Sequence, residues 1–351
     1  MTVNPVRVKH APREQLTETW RKSLPKWIRK PSHFVVFIQI WKMKEGDAMK
    51  VLSISGGGFQ ALYGVLILEE LEARQGPLKH AFDIFCGSSA GAIVATAAAT
   101  GVPMSELRDG FIQRGAEAFR RRRIVNPRNL LRLFSAARYE TAPLAALIGE
   151  LAGEARFRDL ERTLAVTATR LNDGAAVLFE PRSHGDVLIR EAVMASTAAP
   201  TMFPAVPVGG VLHADGGIFA NAPDLLALEL ALRSGADAAK VSMLSLGSMN
   251  ACPPLGEPVD PDMGVLDWLR GNRIFRTMIG AQAQVTSRMM KGLLGDRYLR
   301  IDADPNFPLR SDVALDKADG KAVAAAIMAA NLSMPELDAW TPLGRKVRLV
   351  Q

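Results

Sequence analysis

Two kinds of residue in this chain are equipped for chemistry: a serine set among glycines, and an aspartate set before two more. Ser89 lies in Gly87-Ser88-Ser89-Ala90-Gly91, directly after the apolar run Ala81-Phe82-Asp83-Ile84-Phe85-Cys86 and ahead of the alanine-rich stretch 92–100. The order reads as strand, sharp turn, helix. Such a turn lifts a serine hydroxyl clear of the backbone and aims the N-terminus of the following helix at it. Small neighbours are needed because the turn is crowded. Taken alone, the pentapeptide reads equally as a glycine-rich turn whose serine caps a helix.

A second turn strengthens the chemical reading. Lys50 to Ser55 reads as a buried strand, Gly56-Gly57-Gly58 follows, and a helical pattern runs from Ala61 to Arg74 with Leu62, Val65, Leu66, Leu68 and Leu71 on one side. Three glycines at a strand-to-helix turn leave backbone N–H groups open to an anion, whether a phosphate or the oxyanion formed when a serine attacks an ester. Gly56, Gly58 and Ala61 also fit the dinucleotide fingerprint G-x-G-x-x-[GA]. That rival, a nucleotide-dependent oxidoreductase, wants an acid at the tip of the next strand. Asp83 is instead expected inside that strand.

His213-Ala214-Asp215-Gly216-Gly217 follows the strand-like Gly210-Val211-Leu212. Asp215 alone reads as a turn residue capping its own backbone. Paired with Ser89 it reads as a general base, because partial desolvation raises the basicity of a carboxylate. All five histidines (His10, His33, His80, His184, His213) precede Asp215. The order Ser…Asp…His with a late histidine is therefore absent. His184 or His213 with an intervening acid stays open, but a Ser89–Asp215 dyad is the more economical reading, with His213 a strand residue.

The ordered set Gly56-Gly57-Gly58, Gly87 to Gly91 and Asp215-Gly216-Gly217 resembles the patatin-like phospholipase family. Ala195 to Pro204 is similar to that family's S-x-A-x-P-x-x-F-P stretch, and Leu244 to Ser248 to its S-L-G-T/S strand end. The resemblance covers about residues 49–250. It implies an α/β three-layer sandwich with a mostly parallel central sheet. It also implies a serine acyl hydrolase acting on lipid esters, with Ser89 as nucleophile, Asp215 as base, and amides of Gly56, Gly57, Gly58 and Ala90 holding the oxyanion. No cofactor or metal is implied. The family loop usually reads D-G-G-G-x-R-G; here Ser55 replaces the aspartate, Gln60 the arginine and Ala61 the last glycine. The lost cation leaves a weakened enzyme, or a patatin-fold binding protein without turnover, as an alternative. Leu52 to Gly58, with Tyr63-Gly64 and Ile67 to Leu71, looks most like bacterial stand-alone patatins, a group that includes the cyclic-nucleotide-activated phospholipases of CBASS anti-phage systems.

Composition agrees with an intracellular globular enzyme: 351 residues, 48% hydrophobic and 23% charged, with Cys86 and Cys252 the sole cysteines. No C-x-x-C or H-E-x-x-H spacing marks a zinc site. Residues 1–50 hold 11 Lys/Arg against 4 Asp/Glu, which accounts for the whole formal net charge of +7. Trp20, Trp27, Phe34, Phe37 and Trp41 are interleaved there. Cations mixed with aromatics suit the anionic inner face of a membrane, the expected peripheral partner, and no fold for a nucleic-acid polymer accompanies them. Residues 1–48 read equally as a disordered tail or an upstream start, since Met49 would make a natural beginning. Neither a signal peptide nor a membrane span is legible. Arg120 to Arg123 reads first as a solvated helix end and second as a headgroup contact, with Leu130, Leu131, Leu133 and Phe134 nearby as lid or core.

Periodicity predicts helices over 141–155, 225–234 and 321–331, a helical region over 265–294, and strands over 163–169, 176–180, 240–246 and 297–301. Alternating strands and helices imply a mostly parallel sheet covered on both faces. The expected division is an N-terminal extension (1–48), a catalytic core (49–250) and a mainly helical C-terminal part (251–351). Met289 and Met290 are read as gap-filling core.

Overall fold

The computed structural model describes residues 48–122, 137–249, 261–269, 273–309 and 312–339. The N-terminal aromatics, Arg123, Leu130 to Phe134 and Cys252 lie outside these. Among the described residues one sheet runs through the molecule. Its strands are β1 (Met49–Ile54), β2 (Ile84–Gly87), β3 (Thr163–Arg170), β4 (Ala176–Phe179), β5 (Val206–Val208), β6 (Val211–Asp215), β7 (Val241–Leu246) and β8 (Tyr298–Ile301). Their order is β5-β6-β3-β2-β1-β7-β8, with β4 also paired to β3. The β3-β2-β1-β7-β8 run is parallel, while β4, β5 and β6 are joined antiparallel.

The helices are α1 (Leu62–Gln75), α2 (Ala90–Thr100), α3 (Met104–Ala118), α4 (Ala142–Ala152), α5 (Ile189–Ser196), α6 (Asp224–Arg233), α7 (Val265–Leu269), α8 (Arg273–Leu294) and α9 (Gly320–Ala339), with shorter turns between them. Strand alternation explains the layers. Leu52, Ile54, Phe85, Leu164, Val166, Leu244 and Leu246 join one large apolar cluster with residues of α1, α2, α4, α5 and α9. Met49, Val51, Ile84, Ala165, Val241 and Met243 are equally buried but point the other way, toward α6 and α8. A strand buried on both faces needs near-continuous apolar sequence, as β1 and β7 show.

Two boundaries differ from the sequence reading. Ala81 closes a short helical turn, and β2 begins only at Ile84. Asp83 sits just before it, accepting from the Lys50 N–H at 2.9 Å and from Arg162 at 2.9 Å. This acid therefore stands at the end of β2 remote from the glycine turn. Helix α3 was not expected; only Met104, Gly115 and Ala118 are buried along its 15 residues, too few for a clear period. The stretch after residue 250 also contributes to the sheet, because β8 pairs in parallel with β7. No helix among the described residues is long and apolar enough to cross a membrane.

Candidate active site

Register brings the two glycine turns together. Ile54 at the end of β1 is opposite Gly87 at the end of β2, so both turns leave neighbouring strand ends on the same edge. Close approach then dictates composition. A Cβ on Gly91 would lie 2.4 Å from the Ile54 carbonyl oxygen, and one on Gly87 would lie 2.4 Å from the Gly91 carbonyl oxygen. A Cβ on Gly56 would meet the Ser89 Cβ at 2.9 Å. Ser89 itself has φ 52°, a conformation rare for a residue with a side chain. Its N–H donates to Ser196 Oγ at 2.8 Å, so the C-terminal end of α5 holds the turn in place.

The aspartate arrives from a different part of the sheet. Strand β6 runs antiparallel to β3 and sets Asp215 opposite Ala168, two residues beyond the level of Gly87. The Thr169 hydroxyl donates to the Asp215 carbonyl at 3.0 Å, and the Asp215 N–H donates to the Ala198 carbonyl at 3.0 Å. With its backbone fixed on both sides, the carboxylate reaches Ser89: Ser89 Oγ donates to Asp215 Oδ2 at 2.6 Å. The Gly217 N–H donates to Oδ1 at 2.6 Å. Gly216 is required sterically, since a Cβ there would fall 2.0 Å from Thr167 Oγ1. Asp215 is 5% exposed, and burial pushes its carboxyl up to about 6, against the opposite pull of the Ser89 hydroxyl and the Gly217 N–H.

The loop amides divide into two sets. The Gly56 N–H donates to the Asn221 carbonyl at 3.0 Å, and the Phe59 N–H to the Leu315 carbonyl at 2.8 Å. Gly56 therefore corrects the expectation that all three glycines offer donors: its amide is already used, and its role is close approach. The amides of Gly57, Gly58 and Ala90 meet no acceptor among the described residues. Gly58 has φ +55° and lies against the Leu315 backbone. Around the loop, Asn221 Nδ2 donates to the Gly56 carbonyl at 3.1 Å, and Gln282 Oε1 accepts from the Asn221 N–H at 2.7 Å.

The loop positions that depart from the family pattern are also placed. Gln60 is buried, and its Oε1 has no partner among the described residues. A cation comes instead from β8: Arg300 donates to Ser55 Oγ at 3.2 Å and Ser245 Oγ at 2.9 Å, and pairs with Asp302 at 2.9 Å. Burial works against that charge, but the carboxylates of Asp302 and then Asp224 outweigh it and hold the guanidinium above the ordinary arginine value.

Ser89, Ala90, Asp215 and the Gly57–Gly58 turn open into a cavity of about 560 Å³ walled by Ile93, Leu107, Phe111, Leu147, Phe203 and other apolar side chains. His213 is elsewhere: it sits in β6 against Phe179, its Nδ1 at 2.9 Å from the Val211 carbonyl. Burial lowers its pKa. Cys86 is buried in β2, and burial pushes its thiol up, as expected of a strand residue. Arg120, Arg121 and Arg122 are exposed at the end of α3.

A serine on a strained strand-to-helix turn, a buried carboxylate across from it and an apolar cavity form an arrangement suited to ester hydrolysis in an α/β fold. A family profile described as patatin-like phospholipase matches residues 52–228, and the chain belongs to that family. It is similar to a cGAMP-activated phospholipase of Pseudomonas aeruginosa (strain BWHPSA011 / Pa011), 30% identical over 277 residues, 76% of this chain and 82% of that one. It is also similar to a cGAMP-activated phospholipase of Vibrio cholerae serotype O1, 28% identical over 79% of this chain and 88% of that one. A calcium-independent phospholipase A2-gamma of Oryctolagus cuniculus is 28% identical over 58% of this chain and 28% of its own. A solved structure, VipD from Legionella pneumophila, aligns at a TM-score of 0.39 with 14% identity, over 82% of this chain and 67% of that one. The protein is a lipid ester hydrolase, and the oxidoreductase alternative falls with that finding.

Ser196, Asn221, Gln282 and Arg300 were not singled out from the sequence as site residues. Ser196 stood inside the family-like stretch 195–204 and carried a readable signal. Gln282 and Arg300 had none, because the residues by which they reach the site, Asn221 and Ser55, lie 61 and 245 residues away along the chain.

Proposed function

We propose that the chain cleaves fatty-acyl esters of membrane phospholipids through a Ser89–Asp215 dyad and an acyl-enzyme. Asp215 takes the Ser89 proton as Oγ attacks the ester carbonyl. The amides of Gly57, Gly58 and Ala90 receive the oxyanion. The alcohol or lysolipid leaves with the proton, and an acyl-serine remains. Asp215 then removes a proton from water as it attacks the acyl-serine, the bond from Ser89 Oγ to the acyl carbon breaks, Asp215 returns the proton to Oγ, and the fatty acid departs. The apolar cavity takes the acyl chain, whose burial supplies binding energy.

The observation that carries this reading is the 2.6 Å hydrogen bond from Ser89 Oγ to a carboxylate whose basicity is raised by burial. Activation by a cyclic nucleotide is inferred from the names of the bacterial relatives. The proposed place of action is the inner face of the membrane, reached peripherally. The test is fluorophosphonate labelling and fatty-acid release from phospholipid vesicles, each with and without cGAMP, on wild type, Ser89→Ala and Asp215→Asn. Labelling and release that disappear in both variants are expected. Labelling of Ser89→Ala equal to wild type would remove Ser89 from its role, and a wild type that never labels would leave a fold that binds without turnover.

A further inference from the structure

Helix α8 has an unusual outward face. Ile274, Met278, Val285, Met289 and Leu293 are spaced along it at helical intervals and are 37–58% exposed. The opposite face, through Gly280, Thr286, Met290 and Leu294, is the buried one. The expectation that both Met289 and Met290 fill the core is therefore half right: Met290 is fully buried, Met289 is 48% exposed. Helix α7 packs against α8 and adds Val265 and Leu266 at 75% and 82% exposure. A run of large apolar side chains left on the surface marks a contact.

Charge indicates what is contacted. Across its 22 residues α8 carries Arg273, Arg276, Arg288 and Lys291 and no Asp or Glu. Lys291 lies 3.6 Å from Asp296, beyond the helix end, and Asp267 on α7 accepts from its own Gly264 N–H. A purely cationic helix with an exposed apolar stripe fits an anionic bilayer surface, where acyl boundary and headgroups meet those two faces. A second copy of this chain would set like charges against each other, and the basic N-terminal stretch has the same sign. Position agrees: Phe275, Met278 and Ile279 of the same helix line the cavity that holds Ser89.

We infer that the outward face of α8, continued by Val265 and Leu266 of α7, is the surface by which this protein docks on anionic phospholipid bilayers, bringing the cavity mouth to the lipid. The inference rests on the lipid-hydrolase reading above. The helix lies in the interfacial plane, with Val285, Met289 and Leu293 inserted at headgroup depth and its cations on lipid phosphates. None of those three side chains lines the cavity.

The test uses the full chain and sedimentation with vesicles of three parts phosphatidylcholine to one part phosphatidylglycerol, or of phosphatidylcholine alone. Wild type should bind the mixed vesicles and should be released by added salt. The triple variant Val285→Ser/Met289→Ser/Leu293→Ser should bind at least about 30-fold more weakly, while fluorophosphonate labelling in solution stays at the wild-type rate. The triple variant Val285→Ile/Met289→Leu/Leu293→Met should bind as wild type. Should the serine variant fail to fold, Arg288→Gln is expected to weaken binding to the mixed vesicles alone. Wild-type-like binding by the serine variant, or no binding by wild type, would overturn the inference. So would a wild-type dimer that the serine variant dissociates with vesicle binding intact, since the face would then cover a second copy. Vesicle binding by Ser89→Ala is read separately, so loss of the catalytic assignment and loss of the docking surface give different results.

Discussion

At the scale of single residues, Asp215 faces two opposed demands. As the proposed base it must be ionised, yet burial favours the protonated acid and lifts its pKa from the ordinary 3.8 to about 6. Activity should accordingly fall as pH drops through about 6, read as the acid limb of kcat/KM on a soluble ester. Stability moves the other way. A carboxyl whose pKa is raised by folding contributes stability that is full below pH 3.8 and is lost as pH rises through about 6. Asp215→Asn escapes that loss. Its stability relative to wild type should rise by about 3 kcal/mol between pH 3.5 and pH 8, by urea denaturation at each pH, while labelling is abolished. A difference independent of pH would show that Asp215 carries no burial penalty.

At the scale of elements, the turn that carries Ser89 depends on a helix far from it in the chain. Strand β2 and helix α2 deliver Ser89, but α5 satisfies the Ser89 N–H through Ser196 Oγ. Ser196→Ala leaves that half-buried donor unpaired at a strained residue, a cost of about 1–3 kcal/mol. We expect the fluorophosphonate reaction to slow by about 10- to 100-fold, with KM for a soluble ester nearly unchanged, because the turn moves and the cavity does not. An unchanged rate would mean that backbone strain at Ser89 needs no support from α5. The turn itself was legible in the sequence, since glycines at 87 and 91 are demanded by close approach and small residues announce such crowding. So were β1 and β7, whose apolar runs match burial on two faces. The Ser196, Asn221 and Gln282 contacts were not legible, because they join elements set side by side only by sheet order. The strand-like Val211-Leu212 announced β6, but its antiparallel pairing with β3, which brings Asp215 to Ser89, could not be read from local pattern. The exposed stripe of α8 shares its apolar composition with a core helix; only knowing which face packs on the sheet separates the two.

At the scale of the whole molecule, the glycine loop and the C-terminal strand β8 are tied together. Asp224 is fully buried at the start of α6, accepting from Ser53 of β1 at 2.6 Å, Ser245 of β7 at 2.8 Å and Tyr298 of β8 at 2.7 Å. Arg300 of β8 lies 3.8 Å from the same carboxylate and reaches Ser55, the residue before the glycine loop. Removing β8 would uncover the β7 edge and strand a buried charge whose cation and phenol are gone, which is strongly destabilising. We therefore expect residues 49–250 not to fold by themselves. The segments on either side of position 250 should melt together in one calorimetric transition, and a chain ended after Leu294 should be recovered unfolded. Tyr298→Phe, which removes a single hydrogen bond to Asp224, should lower stability by about 1–3 kcal/mol without splitting the transition. Two resolved transitions in the full chain, with labelling lost at the lower one alone, would instead make the C-terminal part a separate domain. The loop could then not depend on Arg300 for its position.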